Sequence, residues 1–183
     1  MKTFASVTAA ALLTVAALAA WATGVHAQEA PGARQSAPQP WAMPGEEKVD
    51  AYVASNANAG ATPITDPKVL EAFHGQAGID RIVETFVELN FADPRLGPIF
   101  KPFDKVRIKR TIREQFCYIL GGGCAYTGRD MASSHKDIGS KAGDMGRLVE
   151  NLQKAMDKEG VPFAMQNRFL AKLAPMKRTT TMK

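Results

Sequence analysis

From Thr65 onward the chain predicts an all-α domain, on three observations. Apolar residues recur every three to four positions, the period of a helix face. Recognisable start and stop residues bracket those runs. No stretch alternates apolar and polar side chains with the period of two that a half-buried strand requires.

The elements follow in order. In "TDPKVLEAFHG", Asp66 is an N-cap, Pro67 occupies the first helical position and Gly75 follows the end. A second helix is expected to open near Gly78-Ile79-Asp80, carrying Ile82, Val83, Phe86, Val87 and Leu89 to Phe91, and to stop at Asp93-Pro94. "PRLGPIF" then makes a corner that delivers Ile99 and Phe100 inward. Asp104 caps a third helix whose stripe, Ile108, Ile112, Phe116 and Leu120, advances four residues at a time until Gly121 to Gly123 end it. A short helix begins around Gly128 to Met131 and ends around His135 to Ile138. A longer one spans about Ala142 to Glu159 with Met145, Leu148, Val149, Leu152 and Met156 inward. After Gly160, Pro162 starts a last helix expected to pack Phe163, Met165, Phe169, Leu170 and Leu173 inward until Pro175.

The ends of the chain differ in kind. Lys2 precedes an Ala/Leu/Val run of roughly 15 residues, below the ~20 that span a bilayer, and Val25-His26-Ala27 has the small-x-small form of a leader-peptidase site. Residues 1–27 are therefore expected to be a signal peptide cleaved near Ala27/Gln28. The mature chain is then expected to be exported, to the periplasm if the source is Gram-negative, with no stable membrane span. Residues 28–64, rich in Pro, Ala and Asn, are expected to be a flexible linker, with Trp41 and Tyr52 as its aromatics. Residues 65–183 form the domain. A formal net charge of +5, of which Lys2 leaves with the leader, and the lack of interleaved aromatic and basic residues give no reason to expect a nucleic-acid partner.

Cleavage removes His26, leaving His74 and His135. His135 follows "GGGCAYTGRDMASS". No Ser, Cys or carboxylate lies at a spacing that makes a convincing triad with it, and one histidine cannot complete a tetrahedral zinc site. Two readings remain: a partly exposed structural histidine, or the axial ligand of a haem iron, which needs only one imidazole beside the porphyrin nitrogens. The stripe Ile108, Ile112 and Phe116, with Phe86 and Phe100, could line the apolar slot that the second reading requires. Cys117 and Cys124 flank the glycine reversal, which can bring their Cα atoms within disulfide range. Export favours that disulfide over two buried free thiols.

The pieces "GQAGIDRIVETF", "FADPRLGPIF", "ILGGG", "YTGRDMASSH", "EGVP" and "LAPMKR" occur in an order that resembles the group I truncated haemoglobins, over about Phe73 to Thr180. The resemblance implies a 2-on-2 helical sandwich of truncated-globin type, haem b as cofactor, and O2, NO or CO as diatomic ligand. An unidentified reductase is a further partner that it leaves open. His135 takes the place of the proximal iron ligand and Phe100 that of the haem-packing phenylalanine. Phe86 and Val87 fall on the second helix, and Ile108, Thr111, Ile112, Gln115 and Phe116 on the distal helix face. Arg107 falls where a basic residue can reach a haem propionate, its alternative being a solvated arginine in "KVRIKRTIR". Tyr126 and Met131 lie along the proximal side.

The distal side departs from the family. Val87 stands where members commonly place a tyrosine, Ile108 where a glutamine is frequent, and Thr111 where some have a histidine. Five-coordinate iron and an unusually apolar distal pocket are expected. Losing a strong donor to O2 costs on the order of 1.5–3 kcal/mol, or about one to two decades of affinity. Thr111 and Gln115 are the candidate polar replacements. Gas binding is thus expected over enzymatic turnover, with NO dioxygenase and peroxidase-like activities left open. The alternative is a haem-less exported helical interaction module on the same scaffold.

Overall fold

A computed structural model describes residues 39–136 and 138–180. The expected leader, residues 1–27, lies outside them. Among the described residues there is no strand, and no helix is long and apolar enough to cross a membrane. The helices are α1 (Pro67–Ala72), α2 (Gly75–Ala92), α3 (Gly97–Phe100), α4 (Lys105–Ile119), α5 (Met131–His135), α6 (Ala142–Lys158), α7 (Phe163–Leu173) and α8 (Lys177–Thr180), with single 3-10 turns at Asn56–Ala59 and Ala174–Met176.

Local chemistry explains most of the boundaries. Asp66 accepts a hydrogen bond from the Lys68 amide at the start of α1, and Asp104 accepts from Val106 and Arg107 at the start of α4, as N-caps do. α2 opens at Gly75, earlier than the sequence predicts, because His74 itself takes the left-handed conformation (φ 58°) that turns the chain out of α1. The His74 ring is held there by the Glu159 carbonyl, 2.9 Å from Nε2. A side chain at Gly121 would meet the Ile64 carbonyl oxygen at 2.4 Å, so the stop after α4 needs glycine both for its positive φ (82°) and for close approach.

Packing sets the architecture. α2 lies against α4 and α6, and α7 packs on α1 and α6. Ile79, Ile82, Val83, Phe86 and Val87 of α2 are buried with Phe116 and Ile119 of α4, Leu152, Ala155 and Met156 of α6, and Phe169 of α7. At the centre the Phe116 ring meets Phe169 edge-on at 4.8 Å, and Phe169 meets Phe73 at 5.4 Å. Burying each such ring contributes about 1.5–3 kcal/mol. Outside this core, Lys105 pairs with Glu88, Lys109 with Glu84 and Glu88, and Arg113 with Asp80, between α4 and α2. Exposed pairs of this kind contribute little each.

Phe163 corrects one expectation: it is 68% exposed rather than inward. The position one turn on, Gln166, turns in instead, donating to the Val161 carbonyl (2.9 Å) and Asp157 (2.7 Å) and so closing the α6–α7 turn. Corner residue Asp93 accepts from the Arg95 and Leu96 amides and from Arg147 of α6, fixing the exit of α2.

Residues 39–64 lie along the helices. Glu46 forms an ion pair with Arg110 of α4, the Ile64 amide donates to the Ile119 carbonyl (2.7 Å), and Ala59 is fully buried. Composition alone predicts a flexible linker here; docking onto α4 is what gives the stretch order, because its polar groups find fixed partners.

Candidate functional site

Asp130 caps α5 by accepting from the Ser133 amide (2.9 Å), and the helix places His135 at its last position, part-buried. Nδ1 of His135 lies 2.8 Å from the Met131 carbonyl. A carbonyl oxygen can only accept, so the contact is attractive only with the proton on Nδ1, which leaves the lone pair on Nε2. Burial pushes the imidazole pKa below its usual value, against the opposing pull of that same carbonyl bond. The result is a neutral ring, oriented by its backbone bond, with an uncommitted nitrogen: the state a metal-binding imidazole requires. Among the described residues no group of three or more His, Cys, Asp or Glu side chains could hold a metal ion.

α4 supplies the opposing face. Ile108 and Ile112 pack on the core yet stay only half-buried, as do Met131 on α5 and Phe91. Half-covered apolar side chains of this kind are the sort that a flat apolar group can cover. Phe100 is also half-buried, its ring tilted against Phe91 at 5.8 Å. Phe86 and Val87 are buried, at 4% and 0% exposure, and Phe86 packs on Phe116, itself 4% exposed. These three serve the core directly.

The polar candidates are spoken for. Thr111 donates its hydroxyl proton back into its own helix, with the Arg107 carbonyl at 2.9 Å and the Ile108 carbonyl at 3.3 Å. Gln115 turns its amide to the Ala59 carbonyl (2.8 Å) and to the sulfurs of Met131 (3.3 Å) and Met176 (3.7 Å). Tyr126 is buried, and burial pushes its phenol pKa up; its hydroxyl donates to the Arg129 carbonyl (3.0 Å), closing the turn before α5. Arg107 approaches Glu46 (3.6 Å) and Asp104 (3.7 Å), but its Nη2 is buried without a hydrogen-bond acceptor. An unsatisfied buried guanidinium nitrogen is costly, and a carboxylate such as a haem propionate would satisfy it. Taken singly, Nε2 of His135 and Nη2 of Arg107 have the chemistry that a haem iron and a haem propionate would call on.

Sequence reasoning missed a set of residues beside this site. Arg110 is buried and bound to Glu46, Glu114 (3.0 Å) and Thr127 (2.5 Å), and Tyr52, Asn56 and Asn58 reach the backbone of 126–128. Only the Arg110/Glu114 spacing of four carried a signal. Cys117 and Cys124 are paired, with Cα atoms 5.7 Å apart, across the glycine turn.

Comparison with known proteins identifies the family and the fold. Residues 68–182 match the sequence profile of the bacterial-like globins. A group 1 truncated haemoglobin from Tetrahymena thermophila is 28% identical over 95 residues, covering 52% of this chain and 78% of that protein. The crystal structure of the truncated haemoglobin of Tetrahymena pyriformis in its Fe(III) form superposes with a TM-score of 0.60 at 23% identity, over 63% of this chain and 98% of that one. A 2/2 haemoglobin from a Synechococcus species, in the cyanomet state with covalently attached haem, gives 0.57 at 22% identity, over 61% and 96%. These structural likenesses establish the 2-on-2 fold, and the profile match carries with it what the family implies, a haem iron and diatomic gas ligands. The chain belongs to the bacterial-like globins and is similar within them to the group I truncated haemoglobins.

Proposed function

We propose that this chain is an exported globin that holds non-covalent haem b and reversibly binds O2, NO or CO, with His135 as the protein ligand to iron. The observation that carries the reading is the 2.8 Å bond from His135 Nδ1 to the Met131 carbonyl, which reserves Nε2. When bound, haem supplies an iron with an open coordination position for a small gas. The chain does the rest. α5 orients the imidazole and burial keeps it neutral. Arg107 offers Nη2 to a propionate. Ile108 and Ile112 present apolar surface that excludes water. Both cysteines are paired with each other, so neither is free to form a thioether with a vinyl group, which favours haem b.

The gas preference follows from the distal donors. With the Thr111 proton and the Gln115 amide directed at protein acceptors, O2 should bind weaker by about one to two decades than in a pocket with a strong donor. CO and NO depend less on such a donor. This supports gas binding or sensing over turnover; cycling between ferric and ferrous iron would call on a reductase. The leader over residues 1–27 supports a periplasmic site of action, where a Cys117–Cys124 disulfide persists.

Absorption spectra of the haem-reconstituted protein, oxidised, reduced and exposed to CO, test the reading. A Soret band that shifts with CO, is lost in His135→Gly and returns with added imidazole is the expected result. Failure to take up stoichiometric haem while the helical circular dichroism stays intact would overturn it and leave an exported helical interaction module.

A further inference from the structure

The helix that carries His135 cannot hold itself in place. α5 has five residues and no buried one, far below the ~12–15 at which isolated helices become even marginally stable. The chain leading into it is no better supported by its own backbone: among the described residues, no backbone-to-backbone hydrogen bond involves 123–129. Buried polar groups still need a partner, and over 126–128 side chains provide several. The Tyr126 amide donates to Asn56 Oδ1 (2.8 Å). The Thr127 amide donates to Glu114 of α4 (2.8 Å). The Thr127 carbonyl accepts from the Tyr52 hydroxyl (2.9 Å), and the Gly128 carbonyl from Asn58 Nδ2 (3.2 Å). In the other direction, Arg129 donates to the Asp50 carbonyl (3.1 Å) and lies over the Tyr52 ring at 5.1 Å.

We infer that residues 46–64 are a brace that sets the position of the proximal helix, with Asn56 and Asn58 as positioning residues for His135. The brace is anchored on α4 at both ends, by Glu46 to Arg110 and by the Ile64 amide to the Ile119 carbonyl. Between those anchors Asn58 also donates to the Val53 carbonyl (3.0 Å), fixing the brace's own bend while it holds Gly128. Glycine at 128 is required by the same arrangement, because a Cβ there would stand 2.2 Å from the Tyr126 hydroxyl oxygen. The distal helix thus dictates, through the brace, where the imidazole sits. A segment outside the helical sandwich would thereby set how firmly, and in which orientation, His135 is presented to a haem iron.

The inference rests on the haem reading above, and the test separates the two. Resonance Raman spectra of the reduced protein report the iron–histidine stretch, and transfer to apomyoglobin reports haem loss. In the double variant Asn56→Leu/Asn58→Leu the stretch should shift and broaden and haem loss should accelerate about ten-fold, with helical circular dichroism retained. The single variant Asn56→Asp, which keeps the acceptor oxygen for the Tyr126 amide, should retain the wild-type band. A wild-type band and haem-loss rate in the double variant, with only the melting temperature lowered, would overturn the inference. Should the double variant not fold, Tyr52→Phe removes only the hydroxyl and is read by the same band. If the wild-type protein takes up no haem, the haem reading fails by itself, and amide exchange of Tyr126 and Thr127 judges the brace: protection lost in the double variant supports it, protection unchanged overturns it.

Discussion

α4 and α5 meet where Gln115 touches Met131, and they are stabilised by opposite means. α4 runs for 15 residues, is capped by Asp104, buries Phe116, Cys117 and Ile119, and carries a row of ion pairs to α2. α5 has five residues, buries none fully, and depends on Asp130, on the brace and on its contacts with α8. α4 belongs to the folding core. α5 is positioned by hydrogen bonds from outside it, and their loss should leave the core standing. A globin built this way separates stability from ligand geometry, and perturbations should sort accordingly.

The largest effect belongs to the core. Phe116→Ala removes the ring that meets both Phe86 and Phe169, and should cost about 3–5 kcal/mol by urea denaturation, with all helices melting together. An unchanged urea midpoint in Phe116→Ala would mean that the α4 ring does not belong to the folding core. Reduction of the Cys117–Cys124 pair comes next, at about 2–3 kcal/mol for so short a loop. Because the pair joins the end of α4 to the start of the lead-in to α5, haem retention should fall more than helix content does. Glu46→Gln follows, at about 1.5–3 kcal/mol by thermal melting, since it strips a charge-assisted partner from a guanidinium only 6% exposed. The brace loses its first anchor while Glu114 still holds Arg110, so Asn56 and Asn58 should show the larger spectroscopic change for their smaller cost in stability.

The same division governs what the sequence discloses. α4 is legible end to end: its cap, its four-residue stripe and its glycine stop are local or periodic signals. His135 is legible through the glycine stop and the "YTGRDMASSH" stretch. The brace is not. Asn56 and Asn58 act on backbone groups 70 residues away and Tyr52 on one 75 away, and Glu46 finds Arg110 across 64. Short polar side chains bonded to irregular backbone leave no periodicity and resemble linker composition. Phe163 failed for the converse reason, since hydrophobicity alone does not show that the turn after Gly160 needs the amide of Gln166.

Acid offers the smallest and most selective test. The Arg147 guanidinium, with the Arg95 and Leu96 amides, outweighs burial and pushes Asp93 down to about 2. An unfolded aspartate titrates near ~3.9. The folded state therefore holds fewer protons than the unfolded one between these values, so the contribution of Asp93 is complete above about pH 4 and is lost as the pH falls toward 2. Asp93 ties the corner between α2 and α3 to α6, and its hydrogen bonds reach neither the brace nor α5. Wild-type stability should thus fall more steeply from pH 4 to 2 than that of Asp93→Asn, measured by urea midpoints at each pH, whereas above pH 4 the variant should be uniformly weaker. Parallel curves through that window would mean that the corner does not depend on the carboxylate's charge. Protection of the Tyr126 and Thr127 amides should follow Glu46 and Glu114 rather than Asp93. An Asp93→Asn protein that lost that protection at neutral pH would join the two regions that the structure keeps apart.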